Sequence, residues 1–254
     1  MDAQSEWWKP FFSGLWGNVL RQFWTPEQTQ SDAEFIEQLL QVPPPANILD
    51  VPCGEGRISR IFAARGYQVT GVDGTASFLA NARQYADAQQ LSIHWEHRDM
   101  RELTWQDTFD AAFCFWGSFG YFDDEGNEQF LRAVFRALKP GGRFVLETLI
   151  AETLLPMFQE RGWQQIGDTL MLERRWYDYV QSRVGTEWTL MHEGKTETQT
   201  TSIRMYTYRE LCELFSEAGF VPGAAYDTRS RQPFAFGARR LTIVVQKPAS
   251  ANKN

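Results

Sequence analysis

Cysteine and histidine are both scarce in this sequence, with three of each among 254 residues. Cys53, Cys114 and Cys212 stand far apart, His94, His97 and His192 make no HxxxH pair, and neither set has metal-ligand spacing, so no structural or catalytic metal is expected. Cys114 falls in an apolar run and Cys212 in a helical pattern. Both read as small core residues, and a reducing, cytoplasmic location follows as the default. The sequence has no apolar run of about 18 residues to cross a bilayer and no segment patterned as a cleavable signal. Positive charge is short as well. A formal net charge of −7 leaves no electrostatic footprint for a long phosphate backbone and argues against DNA or RNA as a partner.

What is present is material for a core. Hydrophobic residues make up 43% and aromatic residues 15% of the chain, with a charged fraction of 22%, enough for one large α/β domain with an elaboration and too apolar for a disordered chain. The opening WWKPFFSGLWGNVLRQFW is crowded with aromatics, and Phe12, Trp16, Val19 and Phe23 recur at helical intervals. This spacing predicts a helical cap or lid over residues 1–45, with a second helix in SDAEFIEQLLQV started by Ser31 and Glu34 and stopped by Pro43, Pro44 and Pro45. From 46 to 153, apolar strand runs alternate with amphipathic helices at the pace of a parallel sheet covered on both faces. The strands are ANILDV, YQVTGVD, LSIHWEH, FDAAFCFW and GRFVLETL. The rhythm then changes to TLMLERRWYDYV, RVGTEWTLMH and KTETQTTSIRMY, an antiparallel insertion or substrate cap over 154–206 with HEGK as a turn. Residues 207–248 return to helix and strand and complete the core, and 249–254 read as a flexible tail.

The sharpest local feature is ILDVPCGEGRIS at 48–59, a strand entering a turn with two glycines before a helix begins. Gly54 and Gly56 would let backbone approach a ligand with no Cβ in the way. The next strand ends VTGVD, placing Asp73 where a carboxylate accepts from both ribose hydroxyls. Asp99-Met100 follows the third strand. Asp99 suits an adenine amino group or, equally in kind, a helix N-cap, and Met100 suits either the ring face or the core.

This ordered set, with FDAAFCFWGSFGYFDDEG and LKPGGRFVLET after it, resembles the class I S-adenosylmethionine-dependent methyltransferases, and within them members acting on small molecules. The resemblance runs from about 47 to 246. It implies a doubly wound, Rossmann-like, seven-stranded sheet with the last strand antiparallel, S-adenosyl-L-methionine as cofactor and S-adenosyl-L-homocysteine as product. Asp50, Gly54 and Gly56 would border the methionine part, Asp73 the ribose, Asp99 and Met100 the adenine, and Phe115 and Trp116 the sulfonium. Family members often carry glycine where Val51-Pro52-Cys53 stands, so this loop departs from the common pattern.

For the acceptor, a small-molecule N or O nucleophile is expected, attacked in line without a covalent protein intermediate. Trp116, Ser118, Phe119 and Tyr121 fall in the loop after the fourth strand, and Tyr121 suits a positioning role. Trp16 from the cap, and Trp176, Arg204 and Tyr206 from the insertion, are further acceptor-binding candidates. Glu147 and His192 are proton acceptors with no partner that marks either as a base. A nicotinamide-dependent oxidoreductase is the nearest competing class, with Ser59 at the third small position of its glycine turn. A non-catalytic cofactor-binding module is the other. The edge strands of the insertion allow monomer or homodimer.

Overall fold

The computed structural model describes residues 6–12 and 14–249, so the first residues of the expected cap and nearly all of the expected tail lie outside the described part. Seven strands form the main sheet: β1 (Asn47–Asp50), β2 (Gln68–Asp73), β3 (His94–His97), β4 (Phe109–Cys114), β5 (Leu138–Thr148), β10 (Val221–Asp227) and β11 (Leu241–Gln246). Their spatial order is β10-β11-β5-β4-β1-β2-β3. β1 to β5 run parallel, and β11 runs antiparallel to both β5 and β10. The chain winds outward from β1 in both directions, so β1 and β4 flank the switch point where such sheets open a crevice at their carboxyl ends.

Two apolar layers clothe the sheet. On one side α3 (Pro26–Leu40) and α4 (Arg57–Ala64) bring Phe35, Ile36, Leu40 and Phe62 onto Ile48 and Phe113. On the other, α6 (Asp124–Ala137) and α8 (Tyr208–Glu217) bring Phe130, Leu131 and Phe215 onto Phe144 and Leu146. α5 (Ala76–Ala88) runs between β2 and β3. No helix of the described residues is long and apolar enough to cross a membrane.

α3 starts earlier than the sequence pattern suggests. Thr25 Oγ1 accepts from the Gln28 amide at 3.2 Å and the Gln28 side chain accepts from the Thr25 amide at 3.1 Å, while Pro26 supplies a first helical residue with no N–H to satisfy. This capping box precedes Ser31, which falls in the helix interior.

The insertion is a second sheet of four strands in order: β6 (Arg161–Ile166), β7 (Thr169–Asp178), β8 (Arg183–His192) and β9 (Lys195–Arg204). Glu193 and Gly194 both have positive φ between β8 and β9, as a two-residue hairpin turn requires. β6 is an edge strand that the sequence reading missed, because RGWQQI has little alternation. The inner face of this sheet packs Met171 and Leu190 against Phe11, Trp16 and Val19 of α1 (Trp8–Phe11) and α2 (Leu15–Gln22). Glu197 Oε2 accepts from the Leu15 amide at 2.9 Å, satisfying a donor at the start of α2.

Arg183 couples this sheet to the loop after β4. It is buried, and its guanidinium donates to the carbonyl oxygens of Phe122 at 2.8 Å, Tyr121 at 3.2 Å and Ser202 at 2.6 Å, and to Ser202 Oγ at 2.8 Å. Replacing it with methionine leaves those carbonyls facing an apolar chain. Arg183→Met is expected to lower the free energy of urea unfolding by about 3 kcal/mol; a loss below about 0.5 kcal/mol would mean that the loop holds without it.

Candidate functional site

A cavity of about 1700 Å³ opens over the carboxyl ends of the parallel strands. Pockets for one small ligand usually fall below about 1,000 Å³, so this space has room for two molecules side by side. Its floor is the glycine loop and strand ends, its roof the N-terminal helices, and its far wall the inner face of the four-stranded sheet.

The floor is organised by Asp73, which is 6% exposed at the end of β2. Its Oδ2 accepts from the Gly54 amide at 2.8 Å and its Oδ1 from the Thr75 amide at 2.7 Å. Burial pushes its pKa up and the two amides oppose that shift. Each oxygen keeps acceptor capacity for a ligand hydroxyl. Asp50, 3% exposed, accepts from Ser59 Oγ at 2.6 Å. Burial is the larger effect there and raises its pKa to about 7. Ser59 is thereby tied to Asp50.

The two glycines differ. Both have left-handed φ, but a Cβ on Gly54 would meet nothing within 4 Å, whereas one on Gly56 would lie 2.2 Å from the Trp95 ring. Gly54 faces the cavity; Gly56 is required by packing on Trp95 and does not border the open space, contrary to the expectation of two ligand-facing glycines. Asp99 lines the cavity and takes the N-cap role, one of the two expected of it. Its Oδ1 accepts from the Arg101 amide at 2.9 Å and its Oδ2 from Arg101 Nη2 at 2.7 Å. Burial would raise its pKa, and the Arg101 bonds win and lower it. The carboxylate caps the 3₁₀ turn Met100–Glu102 and is engaged there. Met100 is buried and still lines the cavity, beside Trp8 and Phe122.

Beyond β4, Phe115 and Trp116 reach the cavity wall. Trp116 has φ +78°, a conformation costing roughly 1–3 kcal/mol unless its surroundings impose it. They do. Its amide donates to Glu147 Oε2 at 2.8 Å and its indole N–H to Asp32 Oδ2 at 2.9 Å, while the Arg57 and Arg240 guanidinium groups lie over its ring at 5.3 and 5.6 Å. Glu147, 1% exposed, also accepts from Arg240 Nε and Nη2. It is a structural anchor outside the cavity lining. His192 sits at the β8–β9 turn bonded to Thr169 at 3.2 Å, also outside the lining. Arg57 donates to Asp32 at 3.2 Å, but its Nη2, like Trp24 Nε1 beside it, is buried without a partner. Those unmet donors in the cavity wall suit a carboxylate. Arg57, Trp24, Arg240 and Asp32 were not singled out from the sequence; the Arg directly after the glycine turn was the one available signal.

Ser118 and Tyr121 line the cavity. Burial keeps that phenol protonated far above neutral pH. Trp16 lines the cavity too. The remaining three acceptor candidates do not. In the β7–β8 register Trp176 stands opposite Gly185, one pleat away from the inward positions 171, 173 and 175, and Arg204 of β9 shares that outward set. Arg204 pairs with the exposed Asp124 at 3.0 Å, and the hydroxyl of the buried Tyr206 donates to the same carboxylate at 2.7 Å. The inward cavity residues of that sheet are Gln164, Met171, Glu173, Arg175 and Trp188.

Residues 48–142 match the family model described as a methyltransferase domain. The fold is that of the class I S-adenosylmethionine-dependent methyltransferases. The CcbJ methyltransferase of Streptomyces caelestis superposes with a TM-score of 0.80 over 98% of this chain and 100% of that one. An S-adenosylmethionine-dependent methyltransferase from Clostridium acetobutylicum superposes with 0.78 over 92% and 97%. Both are 17% identical, a likeness of fold. The demethylmenaquinone methyltransferase of Deinococcus radiodurans is 39% identical over 105 residues, 40% of this chain and 42% of that protein. The chain spans less than half the length of the curated relatives it matches in this way.

The cavity floor yields two expectations. Gly56→Ala should lower unfolding stability by about 3 kcal/mol, from the Trp95 overlap and the left-handed φ together, and Gly54→Ala by about 1 kcal/mol from φ alone; equal losses in urea melts would refute this division. For Asp50 the folded pKa lies above its ordinary value, so between about pH 4 and pH 7 the native state holds a proton that the unfolded chain has released. The stability associated with Asp50 is present in full below that window and falls as pH rises through it, by at most about 4 kcal/mol. Melts of Asp50→Asn across that range should lack this slope.

Proposed function

We propose that this protein binds S-adenosyl-L-methionine in the cavity and transfers its methyl group to a small-molecule N or O nucleophile, releasing S-adenosyl-L-homocysteine. The observation that carries the reading is the Asp73 carboxylate, which holds the glycine loop through Gly54 and keeps lone pairs for a ribose beside an open backbone surface. Met100, Trp8 and Phe122 offer an apolar slot for adenine on one side of Asp73. Arg57 Nη2 and Trp24 Nε1 offer donors for the methionine carboxylate on the other.

The bound cofactor supplies an electrophilic methyl group on a sulfonium. The chain supplies orientation and dryness. Phe115 and Trp116 form the wall where that sulfonium would face the acceptor, Tyr121 donates its O–H to orient the reacting group, and the aromatic roof excludes water. A group that stays protonated cannot serve as a base, so Tyr121 positions and the nucleophile arrives with a free electron pair or loses its proton to solvent.

The test is calorimetric titration of the protein with S-adenosyl-L-methionine, repeated on Asp73→Asn. Wild type should bind saturably and the variant about 100-fold more weakly, since two charge-assisted hydrogen bonds to ribose are weakened. A folded wild type that does not bind would end the proposal.

A further inference from the structure

The part of the cavity farthest from Asp73 lies between α2 and the inner face of the four-stranded sheet, and nothing in the cofactor reading uses it. Aromatic rings lead there from Tyr121 in an unbroken series. Tyr121 stacks with Phe12 at 6.4 Å, Phe12 meets Phe11 at 5.1 Å, Phe11 stacks on Trp16 at 4.6 Å, and Trp16 meets Trp188 edge-on at 5.5 Å. The series ends on charge. The Arg175 guanidinium lies 5.9 Å over the Trp188 ring and forms an ion pair with Glu173, whose side chain is only 10% exposed. Glu173 stands directly opposite Trp188 in the register of β7 and β8.

Trp16 carries the second observation. It is 3% exposed, it lines the cavity, and its indole N–H has no partner. A buried N–H without an acceptor is rare, because it forfeits the hydrogen bond that water gave it. Its neighbours are the stacked ring of Phe11, the ring of Trp188 and the apolar side chains of Val19, Met171 and Leu190. None of them supplies an acceptor, which leaves that donor for a molecule in the cavity to satisfy.

We propose that this end of the cavity seats the acceptor, and that the acceptor carries a neutral polyhydroxylated ring, a saccharide or glycoside. The inference rests on the methyltransferase reading, since it places the methylated atom at the Tyr121 end. Glu173 and Arg175 cancel in charge, so an ionic ligand group would leave one charge unbalanced in a nearly dry pocket. Neighbouring hydroxyls of a sugar ring match the pair without that cost. One hydroxyl donates to the Glu173 carboxylate, a second accepts from Arg175, and a ring or hydroxyl oxygen accepts from the Trp16 N–H. The C–H face of such a ring packs on indole, and Trp188, only partly buried in the cavity wall, is the one placed to present it.

Two measurements on the full chain separate this proposal from the one it rests on. Calorimetric binding of S-adenosyl-L-homocysteine tests the cofactor site by itself. Saturation-transfer NMR on the S-adenosyl-L-homocysteine-loaded protein then uses phenyl glycosides of glucose, galactose and xylose as probes, with benzoate as the anionic comparison. At least one glycoside should receive saturation and benzoate should not. Trp16→Phe keeps the ring and removes only the orphan donor, and Glu173→Gln keeps the shape and removes the charge. Each should weaken glycoside binding about tenfold or more and leave S-adenosyl-L-homocysteine binding unchanged. Silence from all three glycosides, preference for benzoate, or full glycoside binding by both variants would overturn the saccharide assignment while the cofactor site stands. Failure of wild type to bind S-adenosyl-L-homocysteine would overturn both.

Discussion

One buried carboxylate holds the cavity floor in place. The loop after β1 and the turn after β2 belong to different crossovers, and the backbone ties them through the Cys53 amide, which donates to the Val72 carbonyl at 2.8 Å. Asp73 accepts one amide hydrogen from each, Gly54 and Thr75, and so locks the two into one surface. From Gly54 the constraint passes to Glu55, whose Oε1 accepts from Arg21 at 2.9 Å and from Asn81 at 2.7 Å. The glycine loop is thereby joined to α2 above it and α5 beside it. A buried carboxylate is expensive unless it is hydrogen-bonded, and here the same bonds that make its burial tolerable also build the site.

The opposite wall depends on a second set of charges. Trp116 can hold its left-handed backbone because Glu147 takes its amide, Asp32 takes its indole N–H, and two guanidinium groups cover its faces. These partners come from α3, α4, β5 and the segment before β11. Asp32 alone accepts from Trp116, Arg57 and Arg231. The strained residue and the network that imposes its strain stand in the wall of the main cavity, the kind of place where such conformations concentrate.

The main sheet was legible in the sequence because its information is local. Apolar runs such as ILDV and FDAAFCF, and the helix after the glycine turn, declare their period within a few residues. Asp73 was legible for the same reason, standing at the end of a strand that follows a recognisable turn. Asp32 was not: a single acidic residue within SDAEFIEQ looks like a solvent-facing helix position, and only the fold shows three donors converging on it. The inward face of the insertion was hidden differently. Alternation says that 171, 173 and 175 share one face and 172, 174 and 176 the other, but which face meets the cavity is set by docking on α1 and α2. A choice of Trp176 in place of Glu173 and Arg175 is a one-residue slip, and one residue in a strand reverses the side.

The composition of that inward face bears on what the insertion is for. Met171 and Leu190 pack in the third apolar cluster, and apolar residues at 173 and 175 would extend it. An ion pair there has to offset the desolvation of both charges, and well-packed apolar replacements of buried pairs are often neutral or stabilising. Stability of the insertion therefore gives no reason to place Glu173 and Arg175 in the cavity wall. The same holds for the Trp16 N–H, for which a phenyl ring would give comparable packing without an unmet donor. Packing of the unliganded protein therefore leaves these polar groups, which belong to side chains of one cavity wall, without a stabilising role.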